Sequence, residues 1–253
     1  MLKKALLLSR RFLFSPARAA EAALAPENLG PCLCIYAAGM LCELLLSGLR
    51  PPRFLDQAGA ILPQSQTWLS ALQVLLWQIP LEAALVAFVV GFLAWYKAGR
   101  NPWRLFASMA WALEPALLFV LYKTGVGTKA VLGLGLLAAL GLFLPLWRRC
   151  ERHDILPPVN LLLGINAVYL VLLVPMALAV FFRAPDVYIY VAAAGGLWMA
   201  ALAALALRPL TGLSLPYTFM AILLANLLQT SIIFALNALG LLPKDILKAM
   251  LMP

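Results

Sequence analysis

Long apolar runs separated by short polar segments make up most of this chain after residue 29. A helix needs roughly twenty apolar residues to cross the hydrocarbon core of a bilayer. Seven runs meet that length: 30–49, 68–96, 103–122, 129–147, 159–182, 187–207 and 215–240. The fourth is the weakest, because Gly133, Gly135 and Gly141 lower its helix propensity. The pattern predicts an all-α fold, a polytopic transmembrane helix bundle of six to seven spans.

The first 28 residues have a different pattern, in which apolar and basic positions are mixed. Leu2, Ala5, Leu6 and Leu13 fall near one helical face. Basic residues occupy the other positions: Lys3, Lys4, Arg10 and Arg11. The apolar stretch is too short for a signal peptide. Residues 1–28 are therefore predicted to form a basic, amphipathic segment lying in the cytoplasmic membrane interface, and a solvated, partly ordered tail is the alternative.

Composition agrees with a membrane protein. The chain is 64% hydrophobic and 11% charged, with a mean hydropathy of +0.96, which exceeds the apolar share of ordinary soluble domains. The net charge is +9, but the basic residues lie in small groups between apolar runs and form no single patch. Such spacing favours contact with the lipid bilayer and argues against nucleic acid as a partner. We predict a transmembrane domain at 29–242 and a short C-terminal tail at 243–253.

The distribution of lysine and arginine predicts the orientation. With seven spans, twelve of the 19 basic residues fall on the side that holds the N-terminal segment and the loops near residues 97–104, 148–152 and 208. The positive-inside rule then places the N-terminus in the cytoplasm and the C-terminus outside. The bacterial inner membrane is favoured over a eukaryotic endomembrane.

Three glutamates inside the apolar runs are the first candidates for function, because an unpaired carboxylate is costly in lipid. They are Glu43, Glu82 and Glu114. Glu82 and Glu114 belong to helices joined by a short loop, so they could form a proton-carrying or cation-binding pair. Alternatively, each is protonated and bonded to a backbone carbonyl, or lies in a kink beside Pro80 or Pro115.

Polar residues in the last run form a second candidate. Asn226, Thr230 and Asn237 share one helical face, and Gln229 lies one step round the helix. Such a group either joins neighbouring helices or contributes to a substrate site. Neither the cysteine spacing nor any sequence motif indicates a metal, a cofactor or a catalytic residue.

Several segments resemble the Ypt-interacting-protein (Yip) family. They are the stretch Phe12-Leu-Phe-Ser-Pro-Ala-Arg, the stretch Phe106-Ala-Ser-Met-Ala-Trp-Ala-Leu-Glu-Pro115, and the closing Leu197-Trp198 and Gly212-Leu213-Ser214. The family's third span has an alanine-aromatic-alanine stretch ending in proline, which Ala110-Trp111-Ala112 and Pro115 match. The resemblance implies a protein that organises membranes or recruits partners, and eukaryotic members bind small prenylated GTPases. This chain departs from the family in having more than five spans and Glu114 before the proline.

These observations leave functions from different classes open. The favoured hypothesis is a non-enzymatic membrane scaffold or accessory subunit, Yip-like, with a partner membrane protein or a second copy as its contact. The alternative is a permease subunit or small transporter that uses the intramembrane glutamates, which a shared plan in the helix pairs 83–122, 133–175 and 196–238 also favours. A membrane-embedded enzyme comes third. A purified complex with a stoichiometric partner would favour the scaffold, whereas a monomer with an aqueous cavity at the membrane midplane would count against it.

Overall fold

The computed structural model describes residues 2–51, 54, 68–99, 101–148, 150, 152–243 and 247. These residues form eleven α-helices and no strand. The helices are α1 (Leu2–Phe14), α2 (Pro16–Leu24), α3 (Leu29–Leu49), α4 (Trp68–Lys97), α5 (Pro102–Lys123), α6 (Lys129–Gly141), α7 (Phe143–Trp147), α8 (Arg152–Gly164), α9 (Asn166–Phe181), α10 (Pro185–Thr211) and α11 (Leu215–Leu239). A short 3₁₀ turn at Pro26–Asn28 connects α2 to α3.

Seven helical segments of the described chain are long and apolar enough to cross a membrane. They are Pro26–Leu49, Leu76–Lys97, Pro102–Lys123, Lys129–Trp147, Ile155–Phe181, Pro185–Thr211 and Leu215–Leu239. The all-α, membrane-spanning prediction is confirmed, including the uncertain fourth span, which α6 and α7 form together.

Local sequence explains where several helices begin and end. Asn101 precedes α5 and accepts a hydrogen bond of 3.1 Å from the Trp103 backbone N–H, which otherwise has no partner at a helix start. Thr128 does the same for α6. Gly212 and Gly240 end α10 and α11 with φ of 66° and 82°, a left-handed conformation that glycine adopts without a steric cost.

The fifth span is broken at Ile165, between α8 and α9. The break leaves carbonyl oxygens of the last turn of α8 without their usual helical donors. The Asn166 side-chain amide donates to two of them, those of Leu162 and Leu163, at 3.1 and 3.3 Å. Asn166 therefore stabilises an interruption inside the membrane.

The spans pack as two groups of helices. In the first group, α4 and α5 each pack mainly along α11, and α6 packs against α5 and α11. In the second group, α9 packs against both α3 and α10, and α8 contacts α3. The groups meet where α10 contacts α11 and where α3 contacts α4.

Aromatic side chains hold the first group together. Phe143 of α7 lies 5.4 Å from Phe92 and 4.2 Å from Trp111, measured between ring centroids. Its ring occupies the space beside Gly91, where a methyl group would overlap it. The absence of a side chain at Gly91 therefore lets α7 approach α4 closely.

The N-terminal segment folds as two helices that dock on the second group. Ala5, Leu8 and Phe12 form the buried face of α1. Of the predicted apolar face, Ala5 is buried against the bundle, whereas Leu6 is 66% exposed. The four basic residues named above are exposed. Its position in the membrane interface stays a prediction.

The helix α2 is fixed to the bundle by a buried asparagine. Asn160 of α8 is fully buried, and its side-chain amide donates to the Ala23 and Ala25 carbonyls at 3.0 and 3.3 Å. The Ala23 carbonyl lies in the last turn of α2, where helical donors are missing, and the Ala25 carbonyl also accepts from the Asn28 backbone N–H at 3.0 Å. Of the predicted tail at 243–253, only Pro243 and Leu247 lie within the described residues.

Candidate functional site

A cavity of about 840 Å³ lies between the two helix groups. Residues of α3, α4, α7, α8, α9, α10 and α11 line it. The lining extends from Leu33 of α3 to Arg50, the residue that follows this helix, which corresponds to about 26 Å along a helix axis. The hydrocarbon core of a bilayer is about 30 Å thick. The cavity therefore runs along most of the length of a membrane span.

An ionic cluster occupies the end of the cavity near the C-terminus of α3. Arg50 donates to the Glu43 Oε1 at 2.8 Å. Two hydroxyl groups also donate to Glu43: that of Ser47 at 3.3 Å, and that of Tyr169, from α9, to the second carboxylate oxygen. Arg50 also donates to the Tyr188 hydroxyl, and its guanidinium lies 4.6 Å from the Tyr188 ring centroid. The cluster joins α3, α9 and α10, and it compensates the Glu43 charge.

Arg50 was missing from the predicted site. It follows the first apolar run, so it counted as a loop residue. Its spacing of seven from Glu43, two helical turns, places both on the same face of α3. That spacing could have identified the ion pair. Because α3 ends at Leu49, directly before Arg50, the helical spacing still applies to Arg50.

Glu82 of α4 lines the same cavity and is half-buried. The Gln78 side-chain amide, one turn earlier, donates to Glu82 Oε1 at 2.7 Å. The Tyr36 hydroxyl of α3 approaches the carboxylate and interacts with it electrostatically, without reaching hydrogen-bonding geometry. No lysine or arginine of the described residues forms an ion pair with Glu82. Among the described residues, therefore, only neutral groups contact the Glu82 carboxylate.

Glu114 does not line the cavity. Its carboxylate lies against α6, with Oε1 3.1 Å from the point that a methyl group on Gly135 would occupy. The described contacts of Glu82 and of Glu114 do not include one between the two carboxylates, so the predicted pair stays a prediction without support from the structure.

The polar residues of α11 divide between three roles. Asn226 and Thr230 line the cavity. Gln229 also lines it and donates to the Leu81 carbonyl of α4 at 2.7 Å, which joins the two helices. Asn237 lies apart and donates to a backbone carbonyl of the loop that follows α11, at 2.8 Å. Gln229 therefore joins neighbouring helices, whereas a role of Asn226 and Thr230 in a substrate site stays a prediction.

Among the described residues, no group of three or more histidine, cysteine, aspartate or glutamate side chains is arranged to hold a metal ion. The chemistry that the cavity offers is that of a carboxylate, an ion pair, amides and hydroxyls in apolar surroundings.

Comparison of this chain with protein-family models, with curated proteins and with solved structures finds no match. The resemblance to the Yip family therefore stays a prediction. The function has to be inferred from the cavity and from the exposed surface.

Proposed function

We propose that this chain is a permease subunit or small transporter that holds a solute in the cavity between its two helix groups. The position of Glu82 in a cavity of about 840 Å³ carries the proposal. Small-molecule sites in proteins typically measure about 300–1,000 Å³, and they combine apolar walls with a few polar groups. Asn226 and Thr230 supply such polar groups from α11, the helix that packs along α4.

The energetic cost of an intramembrane carboxylate supports this function. A charged side chain at mid-membrane costs about 2.5–3.5 kcal/mol or more, so such residues usually face a cavity and mark a pathway for ions or substrates. Glu43 has a partner in Arg50, whereas Glu82 has only neutral contacts among the described residues. A solute or a proton would supply the missing compensation.

The helix packing supports the same function. The cavity has α3, α8, α9 and α10 on one side and α4 and α11 on the other. Transporters commonly expose a central site to alternate sides by rocking one helix group against another. We further propose that the N-terminus is cytoplasmic, as the lysine and arginine distribution favours, so that the cluster around Arg50 lies at the external end.

Thiol labelling tests whether the cavity holds water. In a variant with all four native cysteines replaced by alanine, we would introduce Thr230→Cys in the cavity or Leu117→Cys on the outer face of α5. A charged, membrane-impermeant methanethiosulfonate should label the first at least about tenfold faster, because thiolates form in water and not in lipid.

The two variants are matched, since both residues are exposed and both lie within spans. Each must elute as a single species in size-exclusion chromatography before labelling. Equal labelling rates would mean that the cavity does not admit water, and the transporter proposal would then be abandoned.

The exposed face of α1 favours the scaffold as a second candidate function. Its basic residues point away from the bundle and leave a positive surface: Lys3, Lys4, Arg10 and Arg11. Under this proposal, replacing all four with glutamine would release a partner that purifies with the protein in a fixed ratio, while labelling at Thr230→Cys stays unchanged. A partner that remains bound would count against α1 as the contact surface.

A further inference from the structure

The charges that line the cavity do not balance. Glu43, Arg50 and Glu82 are the charged residues among its described lining. Glu43 and Arg50 neutralise each other across 2.8 Å. One negative charge remains whenever Glu82 is ionised, so the cavity would favour a cation over an anion of the same shape.

The Glu82 carboxylate also keeps acceptor positions available. Gln78 donates to Oε1, and the Tyr36 hydroxyl lies close to the same carboxylate, whereas an ionised carboxylate has about four acceptor positions. A protonated amine could donate to one of the remaining positions, and a quaternary cation could lie beside the carboxylate. The Tyr36 ring lies nearby on α3 and offers an aromatic surface to such a cation.

The rest of the lining is largely aliphatic. It includes Leu33, Ile79, Val86, Met199, Ile222 and Ile233. A bare calcium or magnesium ion takes six or more oxygen ligands at short distance, which these apolar walls do not provide. An organic ion with an apolar body fits them better, because its hydrocarbon surface leaves water on binding.

We propose that the solute is an amphipathic organic cation with a single positive charge, bound at Glu82 with its apolar body against the walls of the cavity. This inference rests on the proposed function and adds the class of its substrate. Glu82 sets the charge preference. The apolar lining sets the preference for a hydrocarbon body over a small hydrated ion.

Two ions of nearly identical shape and opposite charge provide the test. Tetraphenylphosphonium and tetraphenylborate would each be titrated by calorimetry into purified protein in detergent, with empty micelles as the blank. We expect tetraphenylphosphonium to bind at least about tenfold more tightly than tetraphenylborate, because the Glu82 carboxylate attracts the cation and repels the anion.

Variants identify the residue responsible. Glu82→Gln removes the negative charge, so it should weaken tetraphenylphosphonium binding at least about tenfold and remove the preference for the cation. Glu114→Gln is the matched control, since Glu114 is also an intramembrane glutamate but does not line the cavity, and it should bind like the wild type. The comparison of the two ions on the wild-type protein needs no variant, so it holds even if Glu82→Gln folds poorly.

The outcomes separate the two proposals. Equal binding of both ions, tighter binding of tetraphenylborate, or no binding of either would overturn the inference about the solute. If Thr230→Cys is still labelled rapidly, the solute-holding function stands without a cationic substrate. If Thr230→Cys is labelled no faster than Leu117→Cys, both proposals fall.

Discussion

Replacing Arg50 with methionine removes the cation of the cluster while keeping a side chain of similar length. The Arg50 and Glu43 side chains are only 5% and 17% exposed, so water compensates Glu43 poorly after the change. Losing one partner of a buried pair costs about 3–5 kcal/mol. Because Tyr169 and Ser47 still donate to Glu43, we expect the lower part of that range.

The expected loss can be measured as a shift in melting temperature. For chains of 150–250 residues, 1 kcal/mol corresponds to roughly 2–4 °C, so Arg50→Met should lower the apparent melting temperature by about 6–12 °C. Unfolding of membrane proteins in detergent is often irreversible, so all variants require the same detergent and heating rate. Arg208→Met is the control, since Arg208 is exposed at the end of α10 and its loss should cost less than about 1 kcal/mol.

A double variant tests the cause of the destabilisation. Adding Glu43→Gln to Arg50→Met removes the uncompensated carboxylate, so the double variant should be more stable than the sum of the single losses predicts. The reasoning is refuted if the two losses simply add, or if Arg50→Met melts within about 2 °C of Arg208→Met.

Three further changes test individual contacts. Tyr96→Phe removes a buried hydrogen bond of 2.6 Å to Ser108 and should lower stability by about 1 kcal/mol; an unchanged melting temperature would contradict this. Gly164→Ala places a methyl group in the space of the Phe12 ring, so amide hydrogen exchange in α1 should accelerate. Phe12→Ala should destabilise the Gly164→Ala variant less than it destabilises the wild type. Equal losses of stability in the two backgrounds would show that the two residues do not interact. Gln229→Leu removes a hydrogen bond of 2.7 Å from α11 to the α4 backbone, with an expected loss of about 0.6 kcal/mol by thermal melting; a loss above about 2 kcal/mol would indicate a larger role.

The residues at which helices begin show how much of the fold the local sequence specifies. Asn101 and Thr128 begin helices because a side-chain oxygen satisfies a backbone N–H that the helix itself cannot. The span at 129–147 forms despite three glycines, since a backbone in lipid has to satisfy its own hydrogen bonds. The number and approximate bounds of the spans were predictable for the same reason, because each depends on a short stretch of chain and the thickness of a bilayer.

Site residues were less predictable, because an apolar run does not reveal which of its sides contacts protein and which contacts lipid. Glu82 and Glu114 are equivalent by sequence, yet only Glu82 reaches the cavity, since α11 packs along both α4 and α5. Arg50 meets Tyr188 across 138 positions of the chain.

Sequence by itself therefore determined the all-α class and a count of six to seven spans, since hydropathy and helix length act locally, and the structure has seven such helices. Tertiary structure alone decided which polar groups share a cavity, and that Glu82 rather than Glu114 lines it. Those outcomes depend on the rotation of each helix about its axis and on its neighbours, which packing between distant segments sets.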